Sequence, residues 1–230
     1  MLEELRRQVC DANLQLVREG LVIQTWGNVS GLDRDTGCVV IKPSGVSYDA
    51  MRPDHMVVLR LASGETVEGA LRPSSDTATH LELYRAFPGI AGIVHTHSLY
   101  ATAWAQAQRE IPALGTTHAD YFYGPVPCTR QMSRAEIESD YELNTGKVIV
   151  ERFAALDPRQ MPAVLVASHA PFVWGASVAK AVENALVLEV VARLASETLR
   201  ITPTMGTIQS ELLDKHFLRK HGPGAYYGQR

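Results

Sequence analysis

The chain has 230 residues, 46% of them hydrophobic and 20% charged, with a formal charge of -3, which is the balance of a globular protein with one sizeable core. No block of Lys or Arg marks a nucleic-acid or anionic-membrane surface, and no run approaches the roughly 18 apolar residues that cross a bilayer, so the expected partner is a small discrete ligand, with no nucleic acid and no membrane. The opening MLEELRRQVC lacks the apolar region of a signal peptide, and the widely spaced Cys10, Cys38 and Cys128 fit reduced thiols, which together predict a cytoplasmic protein.

Residues 2–19 place Leu2, Leu5, Val9, Ala12 and Leu16 at helical spacing, and Gly20 follows as a stop signal, so an opening helix is predicted. Trp26-Gly27-Asn28 reads as a buried aromatic followed by a turn. Short β-branched runs at 38–41 (CVVI) and 56–61 (MVVLRL), set apart by KPSG and SGE, predict strands of a sheet. A helix is expected over 77–87, ended by Pro88, then a strand over GIVHTH, a helix near 98–108, the irregular IPALGTTHADYFYG, and one long polar helix around 133–153. The apolar run AVLVASH at 163–169 predicts a further strand. A long helix at 177–200 and a last one at 207–220 lead into a Gly/Pro tail ending AYYGQR. Strands and helices interleave with no linker, low-complexity segment or repeat, which predicts one α/β domain over 1–230.

His95 and His97 close the first long apolar run. On a strand, residues i and i+2 share a face, so both rings can aim at one point, the geometry of a two-histidine metal clamp. An isolated H-x-H is as readily one core and one surface histidine. The second run, however, also ends in a histidine, His169. Two strands of one sheet ending in imidazoles at the same edge would complete a three-histidine site of the kind catalytic zinc centres use, with a position left open for substrate. The other five are less well placed: His55 and His80 in helical or loop contexts, His118, His216 and His221 in polar stretches.

RPSSDT, just before the 77–87 helix, offers Ser75 or Asp76 as N-cap. It also offers Ser74, Ser75 and the first helical amides as an anion pocket, with Asp76 able to reach a metal or a substrate hydroxyl. KPSG is by default a turn, yet Lys42 beside Ser44 and Gly45 also supplies a phosphate cradle. TTHAD provides Asp120, either a turn residue or a proton-transfer group. The tail combines His216, Arg219 and Tyr227 beyond a Gly-Pro-Gly break, where fraying is the default; its paired tyrosines point instead to docking, on this subunit or another. Asn28 can donate to a ligand oxygen.

Together, TWGNVS, IKPSGV, PSSDT, IVHTHS, GTTHADYFYG, SHAPF and DKHFLRKHG with AYYGQ resemble the L-ribulose-5-phosphate 4-epimerases of the class II aldolase and adducin-head superfamily, over essentially the whole chain as far as Gln229. The resemblance implies a single domain with a central, largely antiparallel sheet between helix layers. It implies zinc, with manganese or cobalt as substitutes, on His95, His97 and His169, with Asp76 beside the metal. Substrate and phosphate contacts would be Gly27, Asn28, Ser44, Gly45, Ser74 and Ser75, with Lys42 close by. Asp120 and Tyr227 would be the acid/base pair, supported by Thr116, His216 and Arg219. A homotetramer with sites between neighbouring subunits is also implied, acting on a phosphorylated pentulose. Two features qualify the match. VASHAPF carries Ala167 and Ala170 where the family has histidine and glycine, and residue 76 is aspartate, as in the epimerases, where L-fuculose-phosphate aldolases carry glutamate.

Such an enzyme interconverts L-ribulose 5-phosphate and D-xylulose 5-phosphate by inverting C4 of a sugar whose ketone is at C2. The C4 hydrogen is not α to the carbonyl, so its removal gives no stabilised carbanion. Cleavage of C3–C4 does, leaving an enediolate and glycolaldehyde phosphate, and re-addition to the other face of the aldehyde inverts the centre. Two proton-transfer groups on opposite sides of C4 are then required. The alternatives are a zinc aldolase of the same superfamily, which releases both fragments, and an adducin-like head domain that binds partners without chemistry.

Overall fold

In the computed structural model, which describes residues 2–227, the opening periodicity becomes α1 (Glu3–Arg18), with Val9, Ala12 and Leu16 on its buried side. Four strands follow: β1 (Gly27–Asp33), β2 (Cys38–Ile41), β3 (Val57–Arg60) and β4 (Thr66–Glu68). Then come α2 (Thr77–Ala86), β5 (Gly92–Thr96), α3 (Leu99–Gln106), α4 (Thr116–Ala119), α5 (Arg134–Glu138) and α6 (Tyr141–Arg152). The order closes with β6 (Ala163–Leu165), β7 (Pro171–Gly175), α7 (Val178–Ile201) and α8 (Ser210–His221). The seven strands form one sheet, β4-β3-β2-β1-β5-β7-β6, with every pairing antiparallel. The expected α/β architecture is therefore the observed one.

Three local expectations need correction. Gly27 and Asn28 open β1 instead of forming a turn, and Trp26 before them is 53% exposed. The long polar helix is two helices: Ser133 and Glu136 form a capping box at the start of α5, and the chain breaks at Ser139-Asp140 before α6. AVLVASH supplies only the three residues of β6, because the chain turns and returns as β7 beside it. PFVWG is buried throughout and carries no alternation, so nothing in its pattern distinguished a strand from a continuation of the preceding run.

The two faces of the sheet are read from its register. Gly31, Gly92 and Gly175 align across β1, β5 and β7, and α1 and α7 settle on this row of missing side chains. A Cβ on Gly92 would stand 2.5 Å from the Ser177 carbonyl oxygen, so the start of α7 rests directly on strand backbone. The opposite face carries the rows Asn28–His95–Phe172 and Ser30–Ile93–Trp174. Helix α2 covers it: the Ser30 hydroxyl lies 2.7 Å from His80 Nδ1 and 2.8 Å from the Tyr84 hydroxyl. Trp174 packs against Phe87 and Phe153, each at a ring separation of 5.0 Å.

Candidate active site

His95 stands next to the end of β5, its ring stacked on Phe172 at 4.2 Å. Its Nδ1 lies 2.9 Å from the Pro171 carbonyl oxygen, which can only accept, so the proton sits on Nδ1 and Nε2 keeps its lone pair. His97 follows one residue beyond the strand, on the solvent side. His169 is in the turn between β6 and β7, not at a strand end, directly after Ser168, whose left-handed φ of 61° is stabilised by its amide donating to the Ala105 carbonyl. Ala170 has no positive φ, so the absence of glycine there costs the turn nothing.

The three ring centroids form a near-equilateral set at 5.0, 4.9 and 5.1 Å, with candidate ligand atoms all within 4.8 Å of one another. A small inward movement of the rings reaches the roughly 3.4 Å spacing that tetrahedral bonds of about 2.05 Å require. Burial pushes all three pKa values down, with His95 adding to the effect on His97 and on His169, which falls to about 4. The rings are thus neutral donors at neutral pH, and the buried Nδ1 of His169 has no hydrogen-bond partner. Three neutral imidazoles with an unpaired buried nitrogen fit a divalent cation of the zinc, manganese or cobalt kind.

The histidines share a cavity of about 680 Å³ with the two serine-bearing turns. Backbone bonds clasp those turns together: Ser74 N donates to the Lys42 carbonyl at 3.0 Å and Ser44 N to the Arg72 carbonyl at 2.9 Å. Ser44, Gly45, Ser74 and Ser75 consequently line one wall, with Lys42 behind them, only 2% exposed. Burial lowers the Lys42 pKa against the opposing pull of Asp76. Asp76 occupies the N-cap position of α2 but makes no capping bond; its Oδ2 accepts from Asn28 Nδ2 at 2.6 Å. Burial acts to raise the Asp76 carboxyl, but the His95 and His80 rings, the Asn28 hydrogen bond and His169 outweigh it and hold the pKa down. Its carboxylate lines the cavity without joining the compact histidine group.

Gly27 lets β1 approach this closely. With φ at 126°, its Cβ would meet Val22 Cγ1 at 2.7 Å and the His95 carbonyl oxygen at 2.9 Å. Tyr141 and Glu142, at the start of α6, also line the cavity and had no signal in the sequence, since only the fold turns that helix end toward the histidines. His80, which the sequence places only in a helical context, is fully buried, its pKa is pushed by burial to about 3, and it sits one helical turn from Asp76.

The remaining sequence candidates gather elsewhere. Asp120 ends α4 and accepts from His216 Nδ1 at 3.0 Å and from Arg219 Nη2 at 3.0 and 3.1 Å, with Lys220 Nζ at 3.6 Å. Burial would raise its pKa, yet these hydrogen bonds and charges hold it below the usual carboxylate range. The tail does not fray within the described residues: the amides of Tyr226 and Tyr227 donate to the Arg219 carbonyl, and the Tyr227 ring lies under the Arg219 and Lys220 charges. Thr116 begins α4 and faces a separate groove against α7. None of these five residues lines the histidine cavity of the same chain. Gln229 lies outside the described residues.

A family model described as Class II Aldolase and Adducin N-terminal domain matches residues 7–196. The chain belongs to this family. Among solved structures, an L-fuculose 1-phosphate aldolase superposes with a TM-score of 0.78 at 23% identity, covering 93% of this chain and 94% of that one. The Klebsiella pneumoniae protein YgbL, assigned provisionally among aldolase, epimerase and decarboxylase, gives 0.73 at 27% identity, with 94% and 99% covered. A sugar-phosphate aldolase from Thermotoga maritima gives 0.68 at 21% identity, with 86% and 96% covered. The first and last of these likenesses are distant in sequence and bear on the class II aldolase fold alone. Among the described residues, no helix is long and apolar enough to cross a membrane.

Proposed function

We propose that the chain is a metal-dependent sugar-phosphate enzyme, an L-ribulose-5-phosphate 4-epimerase that interconverts L-ribulose 5-phosphate and D-xylulose 5-phosphate. The observation that carries this reading is the juxtaposition, in one cavity, of three neutral imidazoles with two clasped serine turns at the start of α2. A divalent cation, zinc first, would supply Lewis acidity toward the ketone and the neighbouring hydroxyl oxygen. His95, His97 and His169 would hold it, with Asp76 alongside, fixed in place by Asn28.

The protein's own groups then have separable tasks. Ser44, Ser75, Gly45 and the first amides of α2 bind the phosphate, and Lys42 adds positive charge from behind. This grip keeps the aldehyde fragment in the site while its carbonyl turns about the C4–C5 bond. Asp120, ionised at neutral pH by its cationic neighbours, takes or returns the C4 hydroxyl proton on one face, and Tyr227 serves the other. Since both lie outside the cavity of their own chain, they serve the site of a neighbouring subunit in a homotetramer. Trp26 at the cavity wall and the exposed Ile23 and Leu99 offer apolar surface for that contact.

The decisive assay incubates the protein with L-ribulose 5-phosphate and follows both products. Formation of D-xylulose 5-phosphate is expected. Free glycolaldehyde phosphate without the epimer would instead establish the aldolase reading.

A further inference from the structure

His97 is held from outside the cavity. It is exposed, and among the described residues its ring touches those of His95 and His169 with no hydrogen-bond partner. Its direction is therefore set by backbone, at the corner where β5 gives way to α3. The usual local device for fixing such a corner is missing. Ser98 occupies the N-cap position with extended backbone, but its hydroxyl makes no capping bond, and the first turn of α3 contains no acidic residue.

Glu189, on α7, takes over that task. Tyr100 N donates to its Oε1 at 2.8 Å and Ala101 N to its Oε2 at 2.9 Å. One carboxylate thus spans two of the unpaired amides at the positive end of the helix dipole, a charge-assisted arrangement stronger than an ordinary neutral cap. The other end of α3 is tied to the third histidine. Ser168 N donates to the Ala105 carbonyl at 2.9 Å, and Gln108 Nε2 donates to the Ser168 hydroxyl at 3.0 Å. Between these ends, Trp104 Nε1 donates to the Ala192 carbonyl at 3.1 Å and to the Ser196 hydroxyl at 2.9 Å, both on α7. Helix α3 is a strut with His97 at one end and His169 at the other, and α7 is its footing.

We propose that Glu189 is a positioning residue of the metal centre: by clamping the first amides of α3 it sets the His97 backbone against His95 and His169, so that the imidazoles converge before a cation arrives. The inference rests on the three-histidine metal reading above. Glu189 itself touches neither the cation nor the substrate.

The test titrates metal-free protein with Co²⁺, reading affinity and the visible absorption of the bound ion, for the unaltered chain, Glu189→Ala, Glu189→Gln and Ser177→Ala. Ser177 accepts from Lys180 N at 3.1 Å as the N-cap of α7 and abuts Gly92, at the far end of β5 from His97, so its loss weakens the fold without touching α3. Glu189→Ala is expected to bind Co²⁺ about ten-fold more weakly, with an altered spectrum, as loss of an outer-shell support does. Glu189→Gln falls between, because its carbonyl oxygen still serves one amide. Ser177→Ala unfolds at lower temperature yet binds Co²⁺ as the unaltered chain does. Equal affinity and spectrum for Glu189→Ala and the unaltered chain would overturn the proposal, as would equal weakening by Ser177→Ala. If Glu189→Ala does not fold, Glu189→Gln decides: weakening of about three-fold or more supports the role, and a smaller change or none overturns it. No Co²⁺ binding by the unaltered chain would overturn the metal reading itself, and this inference with it.

Discussion

Replacing Gly27 by alanine tests how tightly the sheet is drawn around His95. Two costs add. The backbone at φ 126° lies where L side chains are strained, about 1–3 kcal/mol. The new methyl would also stand 2.7 Å from Val22 Cγ1 and 2.9 Å from the His95 carbonyl oxygen. The valine can give way, but the carbonyl belongs to the β1–β5 ladder and cannot move without shifting β5; overpacking of this kind costs about 1–3 kcal/mol. The sum is about 4 kcal/mol, which for a chain of this size lowers the melting temperature by about 8–16 °C. Gly45 is the internal control. Its φ of 70° is also left-handed, but a Cβ there meets nothing within 4 Å, so Gly45→Ala should lose only about 1 kcal/mol and about 2–4 °C. Calorimetry of metal-free protein in chelator measures both. A Gly27→Ala loss no greater than that of Gly45→Ala would refute the close approach of β1 to His95.

His169→Ala should release the divalent metal on purification while leaving the secondary structure intact; retention of stoichiometric metal by atomic absorption would rule out the three-histidine centre. Tyr227→Phe and Asp120→Asn should each cut turnover by about 10²-fold or more with metal content unchanged, and near-normal turnover of either would remove it from proton transfer. For pH, His80 and His118 are buried imidazoles pushed down by burial to about 3 and about 4, against about 6.5 in the unfolded chain. Below pH 6.5 the unfolded chain takes protons that the folded one refuses. Stability is therefore fully present above that pH and falls on acidification, by about 1.4 kcal/mol per pH unit for each histidine. The loss continues toward pH 4 for His118 and pH 3 for His80. The cavity histidines His95, His97 and His169 are lowered in the same way and add their own shares. Denaturant midpoints of metal-free protein at pH 7, 6 and 5 check this, and His118→Asn should remove only that residue's share, about 1.4 kcal/mol per pH unit; a flat profile for the unaltered chain would contradict the burial of these rings.

Much of the site was legible because its parts are local. H-x-H at the end of an apolar strand, serines before a helix and a lysine beside a Pro-Ser-Gly turn each declare themselves within a few residues, and period-2 geometry anticipates His95 and His97 on the same side even though His97 falls just past the end of β5. The same local rules miscarried at Trp26, where an aromatic assumed to be buried faces solvent, and at residues 163–175, where two short buried strands read as one.

The sequence by itself determined the residue types, the element order over most of the chain and the three histidines. The tertiary structure decided which residues meet. It brought Asp76 to Asn28, turned Tyr141 and Glu142 into the cavity, closed Asp120 against Arg219 and Lys220 of α8, and set Glu189 of α7 on the first amides of α3. The side-chain hydrogen bonds among them span from 48 to 99 positions of chain. They follow from strand register and helix packing, which depend on the whole buried surface at once and leave no periodic trace at the residues they join.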